Sequence, residues 1–266
     1  MALKPKDLWS LALDQPQIDP GELAEAIEEQ ASQTDLDYRT RLLIRDSVGA
    51  LRHCWGDERV QRWLADFPVG ARIKTITQEE FERPGFPSLV RRVMEPTKPE
   101  KVRQFLRELG SHPPRPTQVR IGGAIALILT GHLVRRTEDV DLVDEVPAAI
   151  RSQHRLLERL NQTYNLHLTH FQRHYLPARW EQRLHSLEPF GPLRVSLVDV
   201  HDVFLRQLFS AREQDKQDLI VLASHLAKET LARKVKDDCS ALLAAADLRR
   251  HAEQNWYILY GEALPA

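Results

Sequence analysis

The strongest pattern of apolar and polar positions runs from Gly122 to Asp144, GGAIALILTGHLVRRTEDVDLVD. A glycine pair leads into an all-apolar segment, Ala124 to Leu129, which Gly131 interrupts. The stretch closes on Asp139-Val140-Asp141-Leu142. The first part reads as a short buried helix and the second as a strand. A period of two places Asp139 and Asp141 on one face, with Val140 and Leu142 turned to the core. Before this stretch the chain reads as helical. Asp19 caps a helix entered through Pro20. Thr34 to Asp37 has the form of a capping box, with Asp for the usual Glu. The helix behind it carries Ile44, Val48, Leu51 and Trp55 as one apolar stripe, and Gly56 ends it. A third helix covers Glu58 to Leu64. Residues 68 to 96, punctuated by Pro84 and Pro87, read as irregular. Thr97 then caps a helix bearing Val102, Phe105, Leu106 and Leu109, stopped by Gly110.

Prolines between Ser111 and Pro116 predict a stiff connector, delivering a strand over Gln118 to Ile121. After the aspartates come a helix from Ala148 to Leu160 and strands over Asn165 to Phe171 and Leu193 to Val200. Asp202 reads as the cap of a helix over Val203 to Ser210. Residues 228–260 are helical, with the polar run from Lys234 to Asp238 as a solvated face. The pattern predicts an α+β protein with an α/β core. Residues 1–112 form a mostly helical N-terminal region, 117–200 the core, and 201–266 a C-terminal helical region packed on it.

Composition narrows the picture. The 266 residues suit one or two domains, and 42% hydrophobic content supports a real core. A net charge of −1 argues against a general nucleic-acid coat, local basic patches aside. The absence of an apolar run of 18 or more predicts no membrane partner. The opening MALKPKDLW lacks the apolar region of a signal peptide. Cys54 and Cys239, far apart in the chain, read as two buried thiols rather than a disulfide, as expected of a cytoplasmic protein.

The chemistry sits in the central stretch. Two carboxylates on one strand face, about 7 Å apart by strand rise, suit a hard divalent cation. Magnesium takes one or two carboxylates together with substrate phosphates. A glycine pair at a helix N-terminus offers backbone N–H groups to phosphate with no Cβ in the way. An exposed turn after a buried helix would explain the same aspartates without chemistry.

Taken together, Gly122, Gly123, Ala124, Gly131, Arg135, Thr137, Asp139 and Asp141 resemble the signature of the DNA-polymerase-beta-like nucleotidyltransferase superfamily. The nearer resemblance is to bacterial minimal nucleotidyltransferases and AbiEii-type toxin relatives. The resemblance implies a small mixed sheet of the nucleotidyltransferase type. It implies two magnesium ions held by Asp139 and Asp141, and an NTP as substrate. Gly122, Gly123, Arg135, Arg136 and Thr137 would lie against the nucleotide. The acceptor would be a hydroxyl on RNA, such as a tRNA end, or on a protein, and a toxin would have a cognate antitoxin.

Active members of the superfamily carry a third carboxylate on a later strand. The strand Asn165 to Phe171 has none, and its face with Asn165, His167 and Thr169 is where to look. Asp199 is the nearest candidate; a solvent-facing strand end would account for it as well. His167, His170 and His174 lack metal-ligand spacing for a strand and read as surface histidines, one of which could stand in for the acid. Relatives carry a lysine where this chain has Gln207. Arg206 and Arg212 could meet triphosphate charge, or belong to an exposed charged turn over residues 211–219. Two functions therefore stand: a magnesium-dependent nucleotidyltransferase, or a catalytically degenerate relative that binds nucleotide, RNA or a partner protein.

Overall fold

Asp37, rather than Thr34, starts the longest N-terminal helix, because its carboxylate accepts from the backbone N–H of Thr40 at 2.7 Å. In the computed structural model of the chain, residues 7–112 and 115–265 are described. Pro113 and Pro114 of the expected connector, and Met1 to Lys6 of the stretch read for a leader, lie outside them. The chain divides into two compact units, 1–96 and 97–266.

The first unit is helical: α1 (Leu8–Asp14), α2 (Pro20–Ser32), α3 (Tyr38–Trp55), α4 (Asp57–Asp66), α5 (Gly70–Gln78) and α6 (Leu89–Arg92). Asp19 caps α2 as the sequence suggests, with Pro20 in the first turn. The segment 68–96, expected to be irregular, contains α5 and α6. Helix α5 is rich in Thr and Ile, whose helix propensity is modest, yet it forms because it buries Ile73 and Ile76 in this unit's core.

The second unit opens with α7 (Pro99–Gly110). The sequence assigned this helix to the N-terminal region, but Val102, Phe105, Leu106 and Leu109 belong to the second unit's core. Lys98 is its N-cap and Pro99 opens it; Thr97 is committed elsewhere, as described below. There follow β1 (Thr117–Ile121), α8 (Gly123–Leu129), β2 (Asp139–Val143), α9 (Ala148–Arg151), α10 (His154–Tyr164) and β3 (His167–Phe171). Next come two 3-10 turns, Arg173–Tyr175 and Trp180–Arg183, then β4 (His185–Ser186) and β5 (Leu193–Leu197). The unit ends with α11 (Val200–Leu208), α12 (Glu213–Ala223), α13 (Lys228–Asp238), α14 (Ser240–Ala244) and α15 (Ala246–Tyr260).

The five strands form one mixed sheet in the order β3-β2-β1-β5-β4. Strand β1 runs antiparallel to β2 and parallel to β5, and β2 runs parallel to β3. Register fixes the faces, because residues directly opposite in a ladder share a side. Ile121 pairs with Leu142 and with Leu197. Val119, Ile121, Val140, Leu142, Val195 and Leu197 therefore form one apolar face, and all are buried. The other face of β2 and β3 carries Asp139, Asp141, His167 and Thr169. The fold is thus α+β, with a mixed sheet of the nucleotidyltransferase type. Among the described residues no helix is long and apolar enough to cross a membrane. Cys54 and Cys239 are both free thiols, and burial pushes Cys239 up to about 12.

Candidate active site on the polar face of the sheet

Strand β1 ends at Ile121, and the chain turns at Gly122-Gly123 into α8. The turn is pinned to the neighbouring strand, since Gly122 N–H donates to the Asp141 carbonyl at 2.9 Å. Gly123 has φ +60°, in the left-handed region that favours glycine. A Cβ there would also lie 2.2 Å from Asp141 Oδ2. The absent side chain of the second glycine therefore lets the Asp141 carboxylate pack directly against the turn. Helix α8 has only seven residues, so a helix dipole contributes little at the turn. Gly123→Ala is expected to strain the turn and to push the Asp141 carboxylate out of place. It should abolish magnesium-dependent NTP binding in calorimetry while CD still reports a folded protein; unaltered binding would remove Gly123 from the site.

The aspartates face β3 rung by rung. Asp139 pairs in register with His167, and Asp141 with Thr169. Their side chains meet as well: His167 Nε2 lies 2.8 Å from Asp139 Oδ1, and Thr169 Oγ1 donates to Asp141 Oδ1 at 2.8 Å. The face of β3 that lacks an acid thus presents an imidazole and a hydroxyl, one to each aspartate. His170 and His174 are exposed, and His174 packs against Tyr175.

Asp199 is placed differently. It is the N-cap of α11, where its carboxylate accepts from His201 N–H at 3.0 Å. His201 Nδ1 and His185 Nε2 each lie 2.9 Å from it. Burial alone would raise its pKa, yet the hydrogen bonds from His201 and His185 hold it well below the ordinary carboxylate range. Asp199 lies beyond the end of β5, which strand β1 separates from β2, and among the described residues no group of possible metal ligands joins it to Asp139 and Asp141. Its capping role also displaces Asp202 from the one expected of it. Asp202 lies inside α11, fully buried and paired with Arg183.

The arginines separate into bound and available ones. Arg135 does not reach out: Nε and Nη2 donate to both oxygens of Asp218 at 2.8 and 3.0 Å, and Nη1 donates to the Arg136 carbonyl at 2.9 Å. Gln207, placed by the sequence where relatives carry lysine, donates to the same Asp218 at 3.0 Å and is buried. Burial pushes the Asp218 carboxyl up, against the pull of Arg135. Thr97 holds the other side of this loop. Its N–H donates to the Arg135 carbonyl, and its hydroxyl bonds both N–H and carbonyl of Thr137. Thr137 Oγ1 in turn accepts from the Asp139 N–H at 3.4 Å. Arg135 and Thr137 thus belong to the support of the strand that bears the aspartates. Arg136 pairs with Glu138, whose carboxyl is held below its usual range by Asn165 and by Arg136.

Arg206 is the better-placed cation. Its guanidinium stacks on the Phe171 ring at 4.3 Å. Phe171 Cζ lies 2.8 Å from where a Gly122 Cβ would be. Arg206 makes no ion pair among the described residues, and the ring it stacks on borders the glycine turn. Arg212 is the exposed N-cap of α12, in a region expected as a turn but helical from Glu213. The sequence did not single out Phe171 for the site; its buried aromatic ring at a strand end was the one available signal.

The donor set fits magnesium. Asp139 and Asp141 present hard carboxylate oxygens on one strand face, those of Asp141 beside the glycine turn. Among the described residues no group of three or more His, Cys, Asp or Glu side chains could hold a metal ion. Two carboxylates without a third protein ligand suit a cation that takes its remaining oxygens from phosphate and water. The model of a family described as a nucleotidyltransferase of unknown function (DUF6036) matches residues 98–257, from the start of α7 nearly to the end of α15. No curated protein and no solved structure matches the chain.

Proposed function

The chain belongs to this nucleotidyltransferase family, and on that premise we propose that it moves a nucleoside monophosphate from an NTP to an acceptor hydroxyl. The observation that carries the reading is the pair of carboxylates, Asp139 and Asp141, on one strand face, with Asp141 Oδ2 packed against the Gly123 turn. In this reading the acceptor oxygen bonds to the α-phosphorus, the bond to the bridging oxygen breaks, pyrophosphate leaves and the hydroxyl proton is lost. Asp139 and Asp141 would hold magnesium, one or two ions, which when bound neutralises charge on the triphosphate. Gly122 and Gly123 let the phosphates approach the backbone. Arg206 meets their negative charge, with Phe171 holding the guanidinium in place. Arg136, half-exposed beside Glu138, is the second cation in reach of the strand. Catalysis of this kind is mainly positioning and electrostatics.

The acceptor we propose is a hydroxyl on RNA or on a protein. The AbiEii-type resemblance supports a role as a toxin restrained by an antitoxin in the cytoplasm. A second reading is a degenerate member that binds nucleotide without transferring it. It is favoured by β3, which offers His167 and Thr169 rather than a third acid. The test is incubation with each α-labelled NTP, magnesium and total cellular RNA, beside an Asp139→Ala/Asp141→Ala control. Label in RNA or in the protein itself, lost in the control, supports transfer. Magnesium-dependent NTP binding with no pyrophosphate released supports the second reading. Label retained in the control would sink the assignment of the site.

A further inference from the structure

An aspartate side chain does not by itself present a fixed oxygen. Its terminal torsion, between tetrahedral and planar carbon, is broad and nearly two-fold. A cation ligand needs that freedom removed, and the oxygens of ligating carboxylates are accordingly tied by hydrogen bonds from neighbouring groups. At Asp141 the two oxygens are in different hands. Oδ1 accepts from the Thr169 hydroxyl at 2.8 Å. Oδ2 lies against Gly123, where a Cβ would meet it at 2.2 Å. The contact is built into the sheet, because Asp141 and Thr169 are register partners on adjacent parallel strands. Thr169 is β-branched and stiff about χ1, so its hydroxyl is held in one place by the strand that carries it.

We infer that Thr169 is a positioning residue: by fixing Oδ1 it sets the Asp141 carboxylate so that Oδ2 is the oxygen offered to the divalent cation. This rests on the reading of Asp141 as a cation ligand. It assigns β3 a task that needs no acid, namely orienting the carboxylates of β2. It also links two features that are independent in the sequence, the glycine at 123 and the hydroxyl at 169, through the two oxygens of one side chain.

The test is manganese binding followed by EPR in the presence of an NTP analogue with a methylene between the α and β phosphates. No turnover is needed. Thr169→Val keeps the shape and the β-branch and removes only the hydroxyl; Thr169→Ser keeps the hydroxyl. Thr169→Val should weaken manganese affinity about 10–100-fold, the usual cost of losing such a support, with the melting temperature unchanged. Thr169→Ser should bind as the unaltered protein does. If Thr169→Val binds manganese normally while Asp141→Ala does not, the inference is overturned and the proposed site stands. If Asp141→Ala also binds normally, the assignment of the site falls, and the role of Thr169 with it.

Discussion

Arg183→Ala should cost about 3–5 kcal/mol of stability, the usual penalty for stranding a buried charge by removing its partner. Arg183 donates from Nε and Nη2 to Asp202, at 2.9 Å to Oδ2 and 2.8 Å to Oδ1. The Asp202 side chain is 0% exposed. Nη1 reaches Asp238 Oδ2 at 3.3 Å, and Asp238 also holds Arg179. The cluster joins the 3-10 turn Trp180–Arg183 to α11 and α13. Burial pushes the Asp202 carboxyl up and Arg183 pulls it down, so without the arginine only the weaker pull of Lys234 offsets the desolvation. Asp238 keeps Arg179, which confines most of the damage to Asp202. Removing both partners, as Arg183→Met with Asp202→Leu, should recover most of the loss, because the penalty belongs to the stranded charge. Urea unfolding of the single and double variants measures this. A single-variant loss below about 1 kcal/mol, the range of a surface ion pair, would show that Asp202 reaches water.

The second large effect concerns Arg135, and it separates two readings of that residue. The family resemblance implies a phosphate contact, whereas the structure commits the side chain to Asp218, which is 1% exposed. Arg135→Ala should therefore cost about 3–5 kcal/mol as well, and it should loosen the loop from Gly131 to Glu138. The decisive variant is the double one, Arg135→Met with Asp218→Leu. Stability should largely return, since no charge is left unpaired. NTP binding at restored stability should return with it if Arg135 only braces the loop. Binding that stays absent in a stable double variant would mean that Arg135 touches phosphate after all. A double-mutant cycle in urea, with calorimetric NTP binding on each corner, reads both outcomes.

Most of what the sequence shows of this site is local. The glycine turn and the two aspartates lie within one stretch, and a period of two is enough to place both carboxylates on one face. The helix Ala124 to Leu129 and the strand from Asp139 stand where the apolar pattern predicts. What escapes is set by contacts between distant segments. Arg135 and Asp218 are 83 positions apart, and nothing in either neighbourhood announces the pair. Thr169 becomes informative only through its register with Asp141, which depends on how the intervening helices return the chain. Caps are missed for a different reason: Asp199 and Asp202, or Thr34 and Asp37, are chemically equivalent candidates, and packing chooses between them. Helices α5 and α6 escape because their burial, rather than their propensity, makes them helical.

The strand order carries a consequence for the growing chain on the ribosome. Strand β1 lies at the centre of the sheet, yet its longest ladder is with β5, where Ile121 pairs with Leu197. At roughly 5–20 residues per second, several seconds pass between synthesis of the glycine turn and of the strand that backs it. Asp218, which braces the loop before Asp139, emerges later still. Until then the residues from Gly122 to Asp141 lack the ladder and the ion pair that hold them in place. A nascent chain therefore carries the full signature well before it carries the contacts that hold it, which arrive only with its last third.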